Sequence, residues 1–370
     1  MAGGERGAVV PVAAAEGLAG AGGRQRHSRP RHRDQAVTRP IPLNDVARLH
    51  APLMPAMRQA MERVLASGWF LRGQETARFE AEWAAFCGQA HCVSCASGTD
   101  ALTIAAAALG LKRATLQDNT LPLTAIGLHR AGVALALADV GPDGRMAAPH
   151  ADAVPVLLYG RQPGDGEAGC RLFDAAHAHG WQPGPEAVAC WSFYPTKTLG
   201  ALGDAGAITT NDEGLAQLMR DLAGRDDVLR DGRQLTSRMD ELQAAVLRVK
   251  LASLPRWLAA RQAIGAQYAA QLPPEVQPVS GPGDLQHLAV VRTPRRDALA
   301  AFLRARGIET KVHFPQPLHR LAAPWAAHAE AFPGADGWCA TVLSLPCFPG
   351  LGEDEVSAVT DAVRAFAAEA

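Results

Sequence analysis

Short apolar stretches alternate with segments of helical periodicity through the first two thirds of this chain, and that alternation limits the folds open to it. Strands are predicted at residues 115–117 and 133–138, with a helix between them near 124–131 and a further strand at 154–158. Strands that alternate with helices favour crossover units, in which a helix returns the chain to begin the next parallel strand. The sequence therefore predicts an α/β fold with a mostly parallel sheet.

The same patterns extend over the rest of the chain. Ser97-Gly98-Thr99 is expected to open an alanine-rich helix that ends near Leu109, whereas residues 161–169 are too few for a crossover helix, so that connection is expected to be shortened. Other helices are predicted near residues 51–66, 74–87, 212–223, 255–272, 296–306 and 353–367. Other strands are predicted near residues 91–96, 170–173, 188–193, 208–210, 287–292 and 309–314.

Length and charge exclude several classes of protein. The chain has 370 residues, enough for two domains that each bury a core. Its 36 basic and 37 acidic side chains give a formal net charge of −1, so we expect no binding to nucleic acid or to an acidic membrane surface. No apolar run reaches the length of a membrane span. Seven cysteines without the spacing of a disulfide framework are typical of a reducing cytosol, and a cytoplasmic protein is expected.

Cys92 and Cys95 form a C-x-x-C pair, a spacing that also occurs in redox and zinc sites. No second pair and no histidine cluster accompanies it in the sequence. A strand leading into the glycine turn at Gly98 is therefore favoured over a metal site, and no bound metal is expected.

Residues 1–40 are rich in Ala, Gly and Arg and show no apolar periodicity. This composition predicts a disordered arm, or an upstream extension from a wrongly assigned start. The segment lacks the continuous apolar core of a signal peptide. Its clustered arginines are suited to nucleic acid, but a solvated tail is the favoured interpretation.

The stretch from Trp191 to Asp212 carries one lysine, Lys197, among small, apolar and hydroxyl-bearing residues. Partial burial would disfavour the ammonium form and lower the pKa of Lys197, which would suit its amine to Schiff-base chemistry. The alternative is a lysine on a surface turn, since lysines are seldom buried. This stretch alone does not decide between the two interpretations.

Two further segments place polar groups at the ends of predicted strands. Gly98 and Thr99 open a predicted helix, and the N–H groups of a helix N-terminus suit a phosphate, although the same residues also suit a simple helix cap. Asp174 follows Leu172 and Phe173 at the end of a predicted strand, which is the edge where α/β sheets bind ligands. A carboxylate that caps the next helix is the alternative for Asp174.

Taken in order, these three segments resemble those of the DegT/DnrJ/EryC1/StrS family of sugar aminotransferases, which use pyridoxal phosphate. The family pattern around its lysine is approximately S-F-x-P-x-K-x-L-G-x-x-G-x-x-G-A. This chain matches it from Ser192 onward, with Ala205 where the family usually has a further glycine. The other two matching segments are CASGTDALTIAAAALG and CRLFDAAHAHG. The resemblance extends from about Ile41 to about Ala367.

The resemblance implies a fold type I pyridoxal-phosphate-dependent transferase, of the aspartate aminotransferase type. A large cofactor-binding domain would occupy residues 41–255 and a smaller C-terminal α/β domain residues 256–370, after the arm at 1–40. The resemblance also implies a homodimer with each active site at the interface. The implied reaction moves an amino group from an amino acid, L-glutamate in most of the family, to a keto sugar, most often one linked to a nucleotide.

The resemblance assigns roles to the residues of the three segments. Lys197 would hold the resting cofactor and then move a proton between the substrate carbon and the cofactor carbon. Asp174 would bind the protonated pyridine nitrogen, so that the ring can accept electrons. Gly98, Thr99 and Ser192 would bind the cofactor phosphate.

Four further positions follow from the same resemblance. His177 would lie near the cofactor ring, at a position where the family commonly has glutamine and accepts histidine. Leu121 would lie against the face of the ring. His313 and His319, in the segment HFPQPLH, are candidates for binding the sugar, and surface histidines are the alternative.

Two other functions stay open on the sequence. A sugar dehydratase that uses the amine form of the same cofactor has histidine in place of the lysine, so Lys197 argues against it. A non-catalytic or regulatory relative is the second, because the chain departs from the family at three positions. Leu121 replaces an aromatic residue, Leu157 replaces a histidine, and Thr236 replaces an asparagine that reaches the cofactor phosphate of the partner subunit.

Overall fold

The fold is that of a computed structural model, which describes residues 40–224, 234–326 and 331–369. The arm expected at residues 1–40 lies outside these ranges apart from Pro40. The α-helices are α1 Val46–His50, α2 Met54–Ser67, α3 Gln74–Phe86, α4 Gly98–Ala108, α5 Pro122–Arg130, α6 Glu213–Leu222, α7 Glu241–Leu251, α8 Leu254–Gln271, α9 Arg296–Arg304, α10 Pro333–Thr341 and α11 Glu353–Ala368. The strands are β1 His91–Cys95, β2 Arg113–Gln117, β3 Ala134–Ala138, β4 Leu172–Asp174, β5 Val188–Ser192, β6 Gly206–Thr210, β7 Gln277–Pro278, β8 Ala289–Arg292 and β9 Val342–Leu345.

The central sheet is mostly parallel, as the sequence predicts. β4 pairs with β5 in parallel, and β2 pairs with β3 in parallel, whereas β6 runs antiparallel to both β1 and β5. The extended segment 153–156 joins the two groups, because Ala153 bridges to Thr115 in β2 and Val156 bridges to Asp174 in β4. The spatial order is therefore β3, β2, segment 153–156, β4, β5, β6, β1.

Two of the predicted strands, at residues 154–158 and 309–314, do not form regular strands. Segment 154–158 makes an isolated bridge at Val156 and then turns in a 3-10 helix at Leu158–Gly160. Pro155 has no N–H to donate, so a continuous ladder is interrupted there. Segment 309–314 makes one isolated bridge, between Lys311 and Ser344.

Side chains alternate between the two faces of the central sheet along each strand, so both faces present apolar residues. Helices cover both faces and bury these residues. In β5, Ala189 and Trp191 point into a core rich in aromatic residues, where Trp191 packs edge-on against Trp83 of α3 with ring centroids 5.2 Å apart. Val188 and Cys190 point into a second core against α4 and α6. The predicted shortening of residues 161–169 is confirmed, since this segment forms turns and no helix.

The C-terminal part of the chain forms its own antiparallel sheet, in the order β7, β8, β9. A separate hydrophobic core unites this sheet with α8, α9 and α11. Ile41 belongs to this core and pairs with Ile308, although the predicted boundary assigns residue 41 to the large domain. The division at residues 255 and 256 stays a prediction. No helix in the described ranges is long and apolar enough to cross a membrane.

Candidate active site

A cavity of about 660 Å³ lies where the carboxyl ends of the central strands face the C-terminal sheet. The central strands and the turns after them contribute Gly98, Thr99, Leu121, Asp174, His177, Ser192 and Lys197. The C-terminal part contributes Arg261, His287, Lys311, His313 and Cys347. The cavity thus brings together every site residue that the sequence predicts, apart from His319.

Lys197 lies in the tight turn that follows β5. Its backbone N–H donates to the carbonyl of Tyr194 at 2.8 Å. A Cβ on Gly200 would come within 2.4 Å of the carbonyl oxygen of Pro195, so the turn can close only with glycine there. The side chain is half-buried against the cavity, and this burial lowers the pKa of Lys197 to about 8, an effect that the nearby Asp174 carboxylate partly offsets. Lys197 is therefore an amine with a much larger neutral fraction near physiological pH than an ordinary lysine has.

Asp174 is the last residue of β4 and is buried. One carboxylate oxygen accepts from the Oγ1 of Thr124 at 2.7 Å, and the other accepts from the N–H of Ala176 at 3.0 Å. Burial raises the pKa of Asp174, while these two hydrogen bonds and the Lys197 ammonium act in the opposite direction. A cationic group in the cavity would compensate this buried carboxylate.

The start of α4 approaches the end of β5 closely. A Cβ on Gly98 would lie 2.7 Å from the Cβ of Ser192, and a Cβ on Gly206 would lie 2.4 Å from the carbonyl carbon of Ser97. The Oγ of Ser97 caps α4 by accepting from the N–H of Asp100 at 3.1 Å. The first N–H groups of a helix have no partner within the helix, so this corner is suited to an anion.

The Thr236 segment is tied to the same corner. The Oγ of Ser237 donates to Asp100 at 2.7 Å and accepts from the N–H of Ala96 at 3.0 Å. Thr236 itself is exposed. Ser237 was not predicted as a residue of the site, because a serine next to a position of the family pattern does not by itself indicate a function.

Two histidine rings in the cavity lining pack against each other at a tilt of 41°. The rings of His177 and His287 have centroids 4.5 Å apart, and burial lowers the pKa of both well below the usual range. The Nδ1 of His177 accepts from the N–H of Tyr159 at 3.2 Å, while the Nδ1 of His287 lies 3.0 Å from the Oγ1 of Thr198. His287 was not predicted, because it precedes β8 far from the segments that match the family pattern.

The three departures from the family lie in different surroundings. Leu121 precedes α5 and lines the cavity. Leu157 is buried, and its N–H donates to the carbonyl of Asp174 at 3.0 Å. The side chain of Leu157 thus belongs to the hydrophobic core rather than to the cavity lining.

The two histidines of HFPQPLH are separated by the fold. His313 lines the cavity, its Nδ1 lies 2.8 Å from the Oγ of Ser344, and burial lowers its pKa to about 4. His319 is outside the cavity lining, and its Nδ1 lies 2.5 Å from the carboxylate of Asp118. The geometry therefore keeps His313 as a candidate for the substrate side and gives His319 a contact with a buried carboxylate instead.

Cys92 and Cys95 lie on β1, and burial raises the pKa of both thiols. The strand predicted for this segment is confirmed, and it leads into the turn at Gly98 as expected. Within the described ranges, no group of three or more histidine, cysteine or acidic side chains is arranged to hold a metal ion.

These residues fit pyridoxal phosphate at three points. Asp174 faces the cavity as a buried carboxylate for a ring nitrogen, Lys197 supplies an amine for an aldehyde, and Gly98 lets the N-terminus of α4 approach Ser192 closely in the cavity lining, where its N–H groups suit a phosphate. With the order of the central strands, this arrangement is that of the fold type I pyridoxal-phosphate-dependent transferases.

The chain belongs to the DegT/DnrJ/EryC1/StrS aminotransferase family, whose sequence profile matches residues 54–150 and 171–364. The gap between the matched ranges contains the shortened crossover. A dTDP-3-amino-3,4,6-trideoxy-alpha-D-glucose transaminase of Streptomyces venezuelae is 35% identical over 372 aligned positions, covering 90% of this chain and 98% of that protein. The erythromycin biosynthesis sensory transduction protein EryC1 of Saccharopolyspora erythraea is also 35% identical, covering 88% of this chain and 100% of that protein. The crystal structure of S. venezuelae DesV is similar with a TM-score of 0.82 at 34% identity, covering 89% of this chain and 99% of that one.

Proposed function

We propose that this protein transfers an amino group from an amino acid, L-glutamate, to a keto sugar linked to a nucleotide, with pyridoxal phosphate as cofactor. The observation that carries the proposal is Lys197, a half-buried amine with its pKa lowered to about 8, in one cavity with the buried carboxylate of Asp174. The S. venezuelae relative named as a transaminase of a dTDP-linked sugar supports the choice of substrate class.

Bound pyridoxal phosphate would supply a ring that accepts the electrons left behind when the substrate carbon loses its proton. The Nζ of Lys197 accepts that proton and returns it, because its low pKa makes the amine a base near neutral pH. Asp174, whose carboxylate accepts hydrogen bonds from Thr124 and Ala176, would bind the protonated ring nitrogen of the cofactor. The N–H groups at the start of α4 and the hydroxyl of Ser192 would bind the phosphate.

We also propose that the protein works as a homodimer in the cytoplasm. Trp69, Phe70 and Leu71 are adjacent and exposed, with 64%, 47% and 44% of their surface accessible. Neighbouring large apolar side chains at the surface mark interaction sites, and a second copy of the chain would cover them. All seven cysteines are free thiols, which suits a reducing compartment.

The test of the proposal is reduction of the purified protein with borohydride, followed by peptide mapping. We expect a reduced cofactor adduct on Lys197, its loss in Lys197→Ala, and its retention in the matched control Lys112→Ala, which removes an exposed lysine. All three proteins should remain folded by circular dichroism. An adduct that persists on another lysine in Lys197→Ala would reject the role of Lys197. A panel of nucleotide-linked keto sugars, with L-glutamate as donor, then identifies the acceptor.

A further inference from the structure

A second lysine is buried against the turn that carries Lys197, and the proposed chemistry does not use it. Lys250 lies on α7 with 1% of its surface accessible, and its Nζ donates to the carbonyl of Gly200. Burial lowers the pKa of Lys250 to about 8. Among the described residues, its amine makes this one hydrogen bond and pairs with no carboxylate.

The turn formed by residues 194–203, called the lysine turn below, is tightest at Gly200. The N–H of Ala201 donates to the carbonyl of Phe193 at 2.7 Å and closes the turn. A Cβ on Gly200 would lie 2.8 Å from the carbonyl oxygen of Tyr194. Both polar groups of the peptide bond between Gly200 and Ala201 are thus bound, the N–H by the turn itself and the carbonyl by Lys250.

α7 holds the lysine turn at a second point. The Oε1 of Gln243 accepts from the N–H of Leu202 at 2.8 Å. Gln243 and Lys250 are about two helical turns apart, so they lie on the same face of α7. The segment before α7 also contacts the start of α4, because the Oγ of Ser237 donates to Asp100 at 2.7 Å. α7 and the segment before it therefore contact both the lysine turn and the helix N-terminus that suits a phosphate.

Stability alone does not account for a lysine at this position. A buried ammonium costs free energy unless an opposite charge lies beside it. His50 is nearby, but burial and the Lys250 ammonium lower its pKa to about 4, so its neutral ring compensates no charge. Replacing buried ionic groups by apolar side chains of similar size is often neutral or stabilising. What lysine adds here is a donor long enough to reach the carbonyl of Gly200.

We propose that Lys250 is a positioning residue for Lys197: by donating to the carbonyl of Gly200, it holds the lysine turn so that the Lys197 amine stays at the cavity wall. This inference rests on the proposed function, because it takes Lys197 as the amine that reacts. Gly200 follows Lys197 closely in the same turn, so a shift of its peptide moves the Lys197 backbone as well. A displacement of about 1 Å at a reacting group can slow a reaction about 100-fold.

The first measurement needs no cofactor. Lys250→Met keeps the length of the side chain but removes its charge and its donor. The reaction of Lys197 with trinitrobenzenesulfonate is then followed by peptide mapping in the cofactor-free protein. In Lys250→Met its pH midpoint should rise from about 8 toward the value near 10.4 of an ordinary lysine, because a loosened turn exposes the amine to water.

The second measurement follows the L-glutamate half-reaction by the absorbance of the bound cofactor. In Lys250→Met the rate constant should fall about 10- to 100-fold, since the amine is displaced. The apparent Kd for L-glutamate should change less than about threefold, because Lys250 lies outside the cavity lining. Gln243→Ala, which loses the acceptor for Leu202, should also slow this step. Gln243→Glu keeps an oxygen that accepts from Leu202 and should stay within about threefold of the wild type.

Thermal unfolding separates positioning from stability. In Lys250→Met, Tm should change by less than about 4 °C, because removal of a buried charge offsets the lost hydrogen bond. Arg248→Met is the matched control, since it removes another long cationic side chain from α7, one whose hydrogen bonds go to Glu75 and Glu82. We expect this control to lower Tm and to leave the pH midpoint at Lys197 and the half-reaction rate unchanged.

The outcomes separate the alternatives. A normal pH midpoint and a normal half-reaction rate in Lys250→Met would show that Lys250 only fills space, and the proposal would be wrong. A large fall in Tm with an unchanged midpoint would make Lys250 a residue of stability and also overturn it. If Lys250→Met does not fold, Lys250→Gln carries the same comparison, because its side chain is one atom shorter and reaches Gly200 only if the turn moves. A wild-type protein that does not react with amino acids would refute the proposed function, whereas the trinitrobenzenesulfonate profile still tests Lys250.

Discussion

Lys197 is the residue whose chemistry depends most directly on its surroundings. An ordinary lysine, with a pKa near 10.4, is almost entirely ammonium at neutral pH. Burial lowers the pKa of Lys197 to about 8, and the Asp174 carboxylate acts to raise it. Because the shift is downward, the neutral and reactive form of Lys197 grows as the pH rises through about 8.

This shift predicts a distinct pH profile for the reaction of Lys197 with trinitrobenzenesulfonate in the cofactor-free protein. The rate should rise about tenfold from pH 7 to pH 9 and then level off, whereas a lysine peptide should continue to rise past pH 10. Peptide mapping by mass spectrometry gives the rate at Lys197. In Asp174→Asn the midpoint should move to lower pH, since the carboxylate that raises the pKa is gone. A profile at Lys197 that keeps rising beyond pH 10 would contradict the assigned environment.

Local sequence patterns, together with the resemblance to a known family, predicted some residues of the candidate site but not others. Lys197, Asp174 and Gly98 each belong to a segment with its own pattern, a strand end or a helix start, and the cavity brings all three together. Arg261 gave no such signal. Its carbonyl partners at His287 and Cys347 are 26 and 86 residues away, so its burial and its place in the cavity arise only from the packing of α8 against the C-terminal sheet.

At the scale of elements, the contact between α4 and β5 determines the shape of the phosphate corner. Gly98→Ala would place a Cβ 2.7 Å from the Cβ of Ser192, so α4 or β5 would have to move. We expect Kd for pyridoxal phosphate to rise at least about tenfold, because the N–H groups of the corner lose their alignment, and the free energy of unfolding to fall by about 1–3 kcal/mol. Fluorescence titration and thermal unfolding measure the two quantities.

Gly169→Ala is the control for that substitution, since a Cβ at Gly169 meets nothing within 4 Å. It should leave both cofactor affinity and stability close to those of the wild type. Unchanged cofactor affinity in Gly98→Ala would mean that the phosphate binds elsewhere, and it would remove the corner from the proposed site.

The elements themselves were largely predictable, and the errors have a common cause. Short apolar or β-branched stretches between turns and helices mark β2, β3, β5 and β6, whose backbones are free to form ladders. Segment 154–158 has the same composition, but Pro155 interrupts its hydrogen bonds, so only isolated bridges form. Segment 309–314 pairs only at Lys311. Composition indicates which stretches tend to be extended, while pairing depends on partners that are distant in the sequence.

At the scale of the whole molecule, the chain from Ile41 onward is tied into the C-terminal core. The N–H of Ile41 donates to the carbonyl of Gly307 at 2.8 Å, and its carbonyl accepts from the N–H of Glu309 at 2.9 Å. The side chain is 2% exposed and packs in the core that contains Ile264 and Leu303. The first segment of the described chain therefore stabilises the opposite end of the sequence, and Leu43 and Asn44 beyond it line the cavity.

This arrangement predicts a sharp boundary between dispensable and required residues at the N-terminal side. Deletion of residues 1–38 should leave dimerisation, Tm and transamination unchanged, because their composition cannot bury enough apolar surface to contribute a core. Deletion of residues 1–44 should lower Tm and activity together, since it removes a buried side chain, three backbone hydrogen bonds and part of the cavity wall. Ile41→Ala in the full chain isolates the loss of the buried side chain, with an expected loss of about 2–5 kcal/mol in the free energy of unfolding and little change in cofactor affinity.

Light scattering measures dimerisation, thermal unfolding measures Tm, and the glutamate half-reaction measures activity. A monomeric or inactive protein after deletion of residues 1–38 would show that the arm is needed for assembly or for the site, and the boundary would then lie further toward the N-terminus.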